Sequence, residues 1–231
     1  MISCGIQSET RALGQAQQAL ERYLAALYPT YESTWTRPDV SLDVEDLEDE
    51  EEEEKPDEQD NNTSRKDRRF QAVDTASGGL IFYRFRINIK PTNFIDTMIE
   101  HLINKKKDQE KEVEKELALI NHCHRFVPLD YICPVTTERI STCFINRVIP
   151  ECLASLPANT TVAILTELRN NISITKQEII AIIAPTLPTH LKVDLKNPDY
   201  VIFVTIFKSV CGISVLKDYY KKKKYNISAL I

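Results

Sequence analysis

Glycine is scarce in this chain of 231 residues, with five in all. Loops that cradle ATP or dinucleotide phosphates need closely spaced glycines, because the backbone must turn tightly and approach the anion. No such loop is present, and no G-x-S-x-G turn displays a serine nucleophile. Carboxylates lie close together mainly in one acidic stretch, where solvation makes them poor acid–base partners. A catalytic role and a bound cofactor are therefore not expected. Closely spaced cysteines are missing too. His122, Cys123, His124, Cys133, Cys143 and Cys152 contain no C-x2-C pair, and the four cysteines fall nine or ten residues apart. Zinc sites need tighter spacing, so buried thiols are expected rather than a metal centre. No run approaches the roughly 18 apolar residues of a membrane span. The opening MISCGIQSET is not built like a signal peptide. Six reduced cysteines in an intracellular protein, without a membrane partner, are the corresponding expectation.

The charge is segregated. Residues 39–60 hold 14 acidic residues and one base, Lys55, while the whole chain is only at -5. The remainder is therefore basic, at +8. That body, rather than the acidic stretch, is what a polyanion would meet.

Ile2 to Gly5 reads as a short edge strand. From Glu9 to Tyr28, Leu13, Ala16, Leu20, Leu24 and Leu27 recur at three- and four-residue steps, which predicts an amphipathic helix ended by Pro29. Residues 30–68 are polar and acidic, and predict a disordered insertion. QAVD and GGLIFYRFRINI read as two strands around a Ser77-Gly78-Gly79 turn. A second helix follows Pro91, its stripe formed by Phe94, Ile95, Met98, Ile99, Leu102 and Ile103. The alternating charges of KKKDQEKEVEKE predict a solvated extension of that helix. Residues 125–133 suggest a strand broken by Pro128, and residues 137–156 a helix that stops at Pro150. The last third then reads β-α-β-β. A strand at 161–168 precedes a helix capped by Thr175 and Glu178. Strands at 200–207 and 210–216 follow, with Gly212 marking a bulge or a close backbone approach. Two αβ layers fit this order, so the fold class is α+β.

Binding residues are expected at strand ends. Arg169 and Asn170 close the strand from Thr161, where a guanidinium can grip phosphate and an amide can reach a sugar or base edge. Arg169 pairing with Glu167 or Glu178 is the structural alternative. Lys192, Lys196 and Asn197 occupy the loop entering the next strand, although Asn197-Pro198 is also ordinary turn chemistry. Lys208 and Lys217 extend the basic set. Lys221 opens a run of four lysines among Tyr219, Tyr220 and Tyr225, whose rings offer stacking surface. From 161 to 231 there are ten bases and five acids. Together these residues are expected to form one sheet rim that binds nucleic acid.

The series TELRNN (166–171), HLKVDLKNPDYVIFVTIFKSVCGISVLKDY (190–219) and KKYN resembles the C-terminal half of a THUMP domain. More narrowly, it is similar to the eukaryotic THUMP proteins that serve as adaptors for tRNA cytidine acetylation. RFVPLDYICPVT (125–136) resembles that family's entry into THUMP and adds Arg125 to the candidate RNA contacts. The N-terminal segments match a preceding ferredoxin-like half more loosely, and QSETRALGQ stands where a basic, Gly-rich turn would be expected. The resemblance implies a ferredoxin-like domain over 1–120 with the insertion at 30–68. A THUMP domain with a mixed sheet flanked by helices would span 121–220, and a basic tail 221–231. It also implies a non-catalytic protein of the nucleus or nucleolus, with the cytoplasm as a further location, that holds the acceptor end of tRNA. Such a protein presents serine and leucine tRNAs to a separate RNA cytidine acetyltransferase for N4-acetylcytidine formation. Two alternatives stand beside it: part of another THUMP-bearing tRNA methyltransferase or thiouridine synthase, and a protein-interaction module using the acidic insertion.

Overall fold

The computed structural model describes residues 1–34, 69–75, 77–171 and 173–231. The acidic stretch at 39–60 lies outside them. Of the insertion expected from residue 30, the described start is held in place. The Thr34 N–H donates to the Arg86 carbonyl at 2.9 Å, and the Asn88 N–H to that of Glu32 at 3.0 Å.

The first half is an antiparallel sheet of β1 (Ile2–Cys4), β2 (Phe70–Val73), β3 (Leu80–Phe85) and β4 (Cys123–Phe126), in the order β2-β3-β1-β4. With helices α1 (Glu9–Leu27) and α2 (Pro91–Asp108), this is the split β-α-β-β-α-β arrangement of ferredoxin-like folds. The opening strand is thus interior rather than at an edge. Helix α1 buries Ala12, Ala16, Ala19, Leu20, Tyr23 and Leu24, while Leu13 faces outward. Pro91 starts α2, where its missing N–H costs no helical bond. Phe94, Ile95, Met98, Ile99 and Leu102 are buried as the spacing predicts, and Ile103 is exposed.

The charge-alternating stretch is not a solvated extension. The chain bends at Gln109 into a separate helix, α3 (Glu110–Ala118), and Val113 is buried. Glu116 accepts from the Tyr23 hydroxyl and from Lys105 Nζ, each at 2.7 Å. Buried Val113, half-buried Leu117 and one doubly bonded carboxylate anchor this helix, too few to produce a periodic signal.

The second sheet contains β5 (Tyr131–Pro134), β6 (Thr161–Arg169), β7 (Lys192–Val193), β8 (Tyr200–Phe207) and β9 (Val210–Lys217). Its order is β5-β9-β8-β6-β7, with β6 parallel to β7 and β8 and the other pairs antiparallel. The fold is α+β. Strand β8 shows why its sequence is one apolar run. Ile202, Val204 and Ile206 pack with Ile140, Phe144, Ile179 and Ile183. Val201, Phe203 and Phe207 join the core of the first half. A strand buried on both faces loses the apolar–polar alternation. Helix α4 (Thr137–Cys143) does not end at Pro150. It continues from Phe144 to Leu153 as a wide helix, with the Ala154 N–H bonded to Ile149 O five residues back. Widened turns accommodate a proline that would break a regular α-helical ladder.

Two boundaries differ from the sequence expectation. Strand β4 pairs with β1, so the first half extends through Phe126 rather than stopping at 120. Residues 221–231 are not a loose tail, because Tyr225 and Ile227 are buried and α6 (Ile227–Leu230) packs beside β4. Both halves therefore share one apolar cluster.

Candidate nucleic-acid interface

Strand direction divides the predicted site. Strand β6 exits at Arg169, opposite Phe207 of the parallel β8, so the β6 exit meets the β8–β9 hairpin. The Lys208 N–H reaches Arg169 O at 3.4 Å, and the Asn171 side-chain amide donates to Lys208 O at 2.5 Å. Asn170 and Lys208 both adopt left-handed backbone, with φ of 48° and 53°, and both are exposed. Asn170 also donates to the Ser77 hydroxyl at 3.2 Å, tying this end to the first half. Neither expected partner holds Arg169. Glu167 pairs with Arg125 at 3.0 Å. Glu178 accepts from the Thr175 N–H at 2.7 Å, completing the predicted capping box of α5 (Lys176–Ile183). Arg169 is half-buried and outside every ion pair among the described residues. Glu9, a nearby acid, accepts from the Gly79 N–H at 2.7 Å.

Lys192, Lys196, Asn197, Lys217 and Lys221 lie at the opposite end. Thr161, which begins β6, pairs with Lys192, and Tyr200 pairs with Lys217. Eight residue steps separate Thr161 from Arg169, roughly 26 Å of strand. One continuous rim is therefore excluded. Acids accompany these lysines. Asp194 accepts from the backbone of Lys196 and Asn197 at 2.8 and 3.1 Å, and Asp218 pairs with Lys221 at 2.7 Å. Asp199 accepts from the Thr161 hydroxyl at 2.6 Å, and this bond holds its carboxyl below the usual carboxylate range.

Two further expectations change. Arg125 faces inward between the halves: Nε donates to Lys224 O at 2.9 Å, Nη1 to Glu167 at 3.0 Å and Nη2 to the Tyr219 hydroxyl at 2.5 Å. Its fork is a strut rather than a phosphate clamp. Tyr219 and Tyr225 are 1% and 0% exposed, which leaves Tyr220 as the available ring. Rings adjacent to lysines in sequence have folded under them. Lys222 meanwhile bonds Asp96 at 2.7 Å. No group of three His, Cys, Asp or Glu side chains is arranged to hold a metal among the described residues, and no helix there is long and apolar enough to cross a membrane.

A third basic feature was not legible in the sequence. A groove of about 370 Å³ runs between the halves, lined by Arg84, Asn88, Lys90, Tyr131, Arg147 and Glu151. Arg147 and Lys90 lie over the Tyr131 ring, at 5.1 and 5.6 Å from its centroid. Lys90 also bonds Glu151 at 2.8 Å, which pushes its ammonium pKa up. These residues come from three elements far apart in sequence, so only the fold gathers them.

A mixed sheet packs on a ferredoxin-like half and carries exposed cations at its strand ends. Residues 153–216 match the THUMP domain family. The chain is similar over its whole length to human THUMP domain-containing protein 1, with 26% identity over 236 residues that span 63% of the human protein. The mouse protein of the same name is 28% identical over 173 residues, covering 74% of this chain and 46% of that protein. The chain thus spans less than two thirds of the length of these curated relatives. The solution structure of the THUMP domain of THUMP domain-containing protein 1 is 32% identical, covering 34% of this chain and 82% of that domain. Its TM-score is 0.30.

Proposed function

We propose that this protein is a non-catalytic tRNA-binding adaptor that presents serine and leucine tRNAs to a separate RNA cytidine acetyltransferase in the nucleus. The observation that carries the RNA-binding part is the β6 exit. Arg169 is outside every ion pair among the described residues and stands beside exposed Asn170 and Lys208. A guanidinium, a lysine and a side-chain amide on two linked strand ends suit a phosphate with its neighbouring sugar. The acetylation role draws on the similarity to THUMP domain-containing protein 1 and to the adaptor family.

Two measurements test the two parts. Arg169→Glu with Lys208→Glu should weaken tRNA binding by at least about tenfold while the protein stays folded, and unchanged affinity would move the site elsewhere. Nucleoside mass spectrometry of tRNA from cells lacking the gene should show N4-acetylcytidine lost from serine and leucine species. An unchanged level rejects the adaptor role and leaves RNA binding standing.

A further inference from the structure

The β7 edge carries an unusual combination of groups. It is the outermost strand of the second sheet, bonded on one side to β6. Lys192 and Asp194 turn their N–H groups to Thr160 O and Val162 O, each at 3.0 Å. In an extended chain the intervening residue faces the other way. The Val193 peptide N–H and C=O therefore point away from β6. The side chains of Val193 and Leu195 are 66% and 72% exposed. Isolated apolar residues on a surface need no explanation, but one on an open sheet edge and a second in the bend directly after it form a small docking platform.

The surroundings select the occupant. Lys192 and Lys196 flank the pair and are exposed, and Lys217 is exposed at the same end of the sheet. The acids here already have partners within the chain: half-buried Asp194 caps the Lys196 and Asn197 N–H groups, exposed Asp199 accepts from Thr161, and half-buried Asp218 pairs with Lys221. Exposed aliphatic carbon stands here beside three ammonium groups that form no ion pair among the described residues. RNA would use the ammonium groups but has no use for Val193 and Leu195, whose exposed aliphatic surface offers no hydrogen bond to a phosphate or a base edge.

We propose that Lys192–Leu195 docks an extended acidic segment of a partner protein, one in which valine or leucine alternates with aspartate or glutamate. The apolar side chains cover Val193 and Leu195, the carboxylates meet Lys192, Lys196 and Lys217, and the Val193 peptide group bonds the partner backbone. This surface lies a strand's length from Arg169, so it leaves the proposed RNA contacts uncovered.

The probe is a fluorescein-labelled nonapeptide alternating aspartate with valine or leucine, titrated with the full chain and followed by anisotropy. Saturable binding is expected. Val193→Asp with Leu195→Asp should weaken it by about tenfold or more, through like-charge repulsion and lost apolar burial, while tRNA affinity changes less than about twofold. A peptide N-methylated on the edge that meets Val193 should bind more weakly than one methylated on its other edge. Circular dichroism checks that the variant is folded, and Lys192→Gln with Lys196→Gln, which leaves the apolar pair intact, should also weaken the peptide. Absence of saturable peptide binding, equal binding by the Asp variant, or a parallel loss of tRNA affinity in it would each overturn the proposal. A chain that failed to bind tRNA at all could still take the peptide, so the two assignments fail separately.

Discussion

Leu129 and Gly212 fit together at the junction of the two halves. A Cβ placed on Gly212 would stand 2.6 Å from Leu129 Cδ1, inside van der Waals contact. The β8–β9 register runs through this point without a shift, from Tyr200 opposite Lys217 to Phe207 opposite Val210. Of the two roles expected of this glycine, close approach is therefore the one observed. Gly212→Ala should destabilise the protein by about 1–3 kcal/mol through overpacking. With Leu129→Ala as well, the combined loss in urea denaturation should fall short of the sum of the single losses. Strict additivity would contradict the contact.

Arg125 should behave as a structural residue. Its side chain is 21% exposed and that of its partner Glu167 26%. Arg125→Met strands Glu167 and the Lys224 carbonyl, at an expected cost of about 2–4 kcal/mol. At a temperature where the variant remains folded, its tRNA affinity should match the unmodified protein. A loss of affinity without a loss of stability would return Arg125 to the RNA-contacting set.

The separation of the lysines from Arg169 gives an asymmetric test. Lys196→Glu alone should alter tRNA binding less than Arg169→Glu alone, since the two lie at opposite ends of the sheet. If four phosphates are neutralised, the log–log dependence of affinity on salt should have a slope on the order of -3. Arg169→Glu should flatten it and Lys196→Glu should leave it close to unchanged. Equal effects on the slope would indicate an RNA path that spans both ends.

Asp130 supplies a pH dependence. Burial raises its carboxyl above the ordinary value, partly offset by bonds from the Thr92 hydroxyl at 2.6 Å and the Thr92 N–H at 2.9 Å. The folded state thus holds this proton more tightly than the unfolded chain. The resulting stabilisation is fully present below the unfolded value, about 3.9, and is lost as pH rises through the folded one. The stability of the unmodified protein relative to Asp130→Asn should therefore increase as pH falls from 7 towards 4. Urea midpoints across that range provide the measurement, and a constant difference would show that Asp130 titrates normally.

Patterns confined to one element were legible from composition and spacing. The α2 stripe from Phe94 to Leu102 is buried, and the box between Thr175 and Glu178 closes at both ends. Alternating charges concealed α3, because Val113 is its single fully buried residue and the tie from Glu116 to Tyr23 crosses 93 residues of sequence. Tyr219 and Tyr225 misled for a related reason. A ring next to a lysine has no fixed direction until the chain around it is folded, and here both rings turn into the core.

The sequence by itself determined that the protein is α+β, that its basic body is distinct from its acidic stretch, and which strands and helices form most of its core. Local periodicity and charge suffice for that, since each residue reports whether its own face of an element meets water. Tertiary structure alone decided which charges act together. Parallel pairing of β6 with β8 places Arg169 beside Lys208 and sends Lys192 and Lys196 to the far end. Packing of β4 against the C-terminal turn draws Arg125 inside. Strand direction and register depend on contacts between segments far apart in the chain, which neither charge nor spacing within one segment can encode.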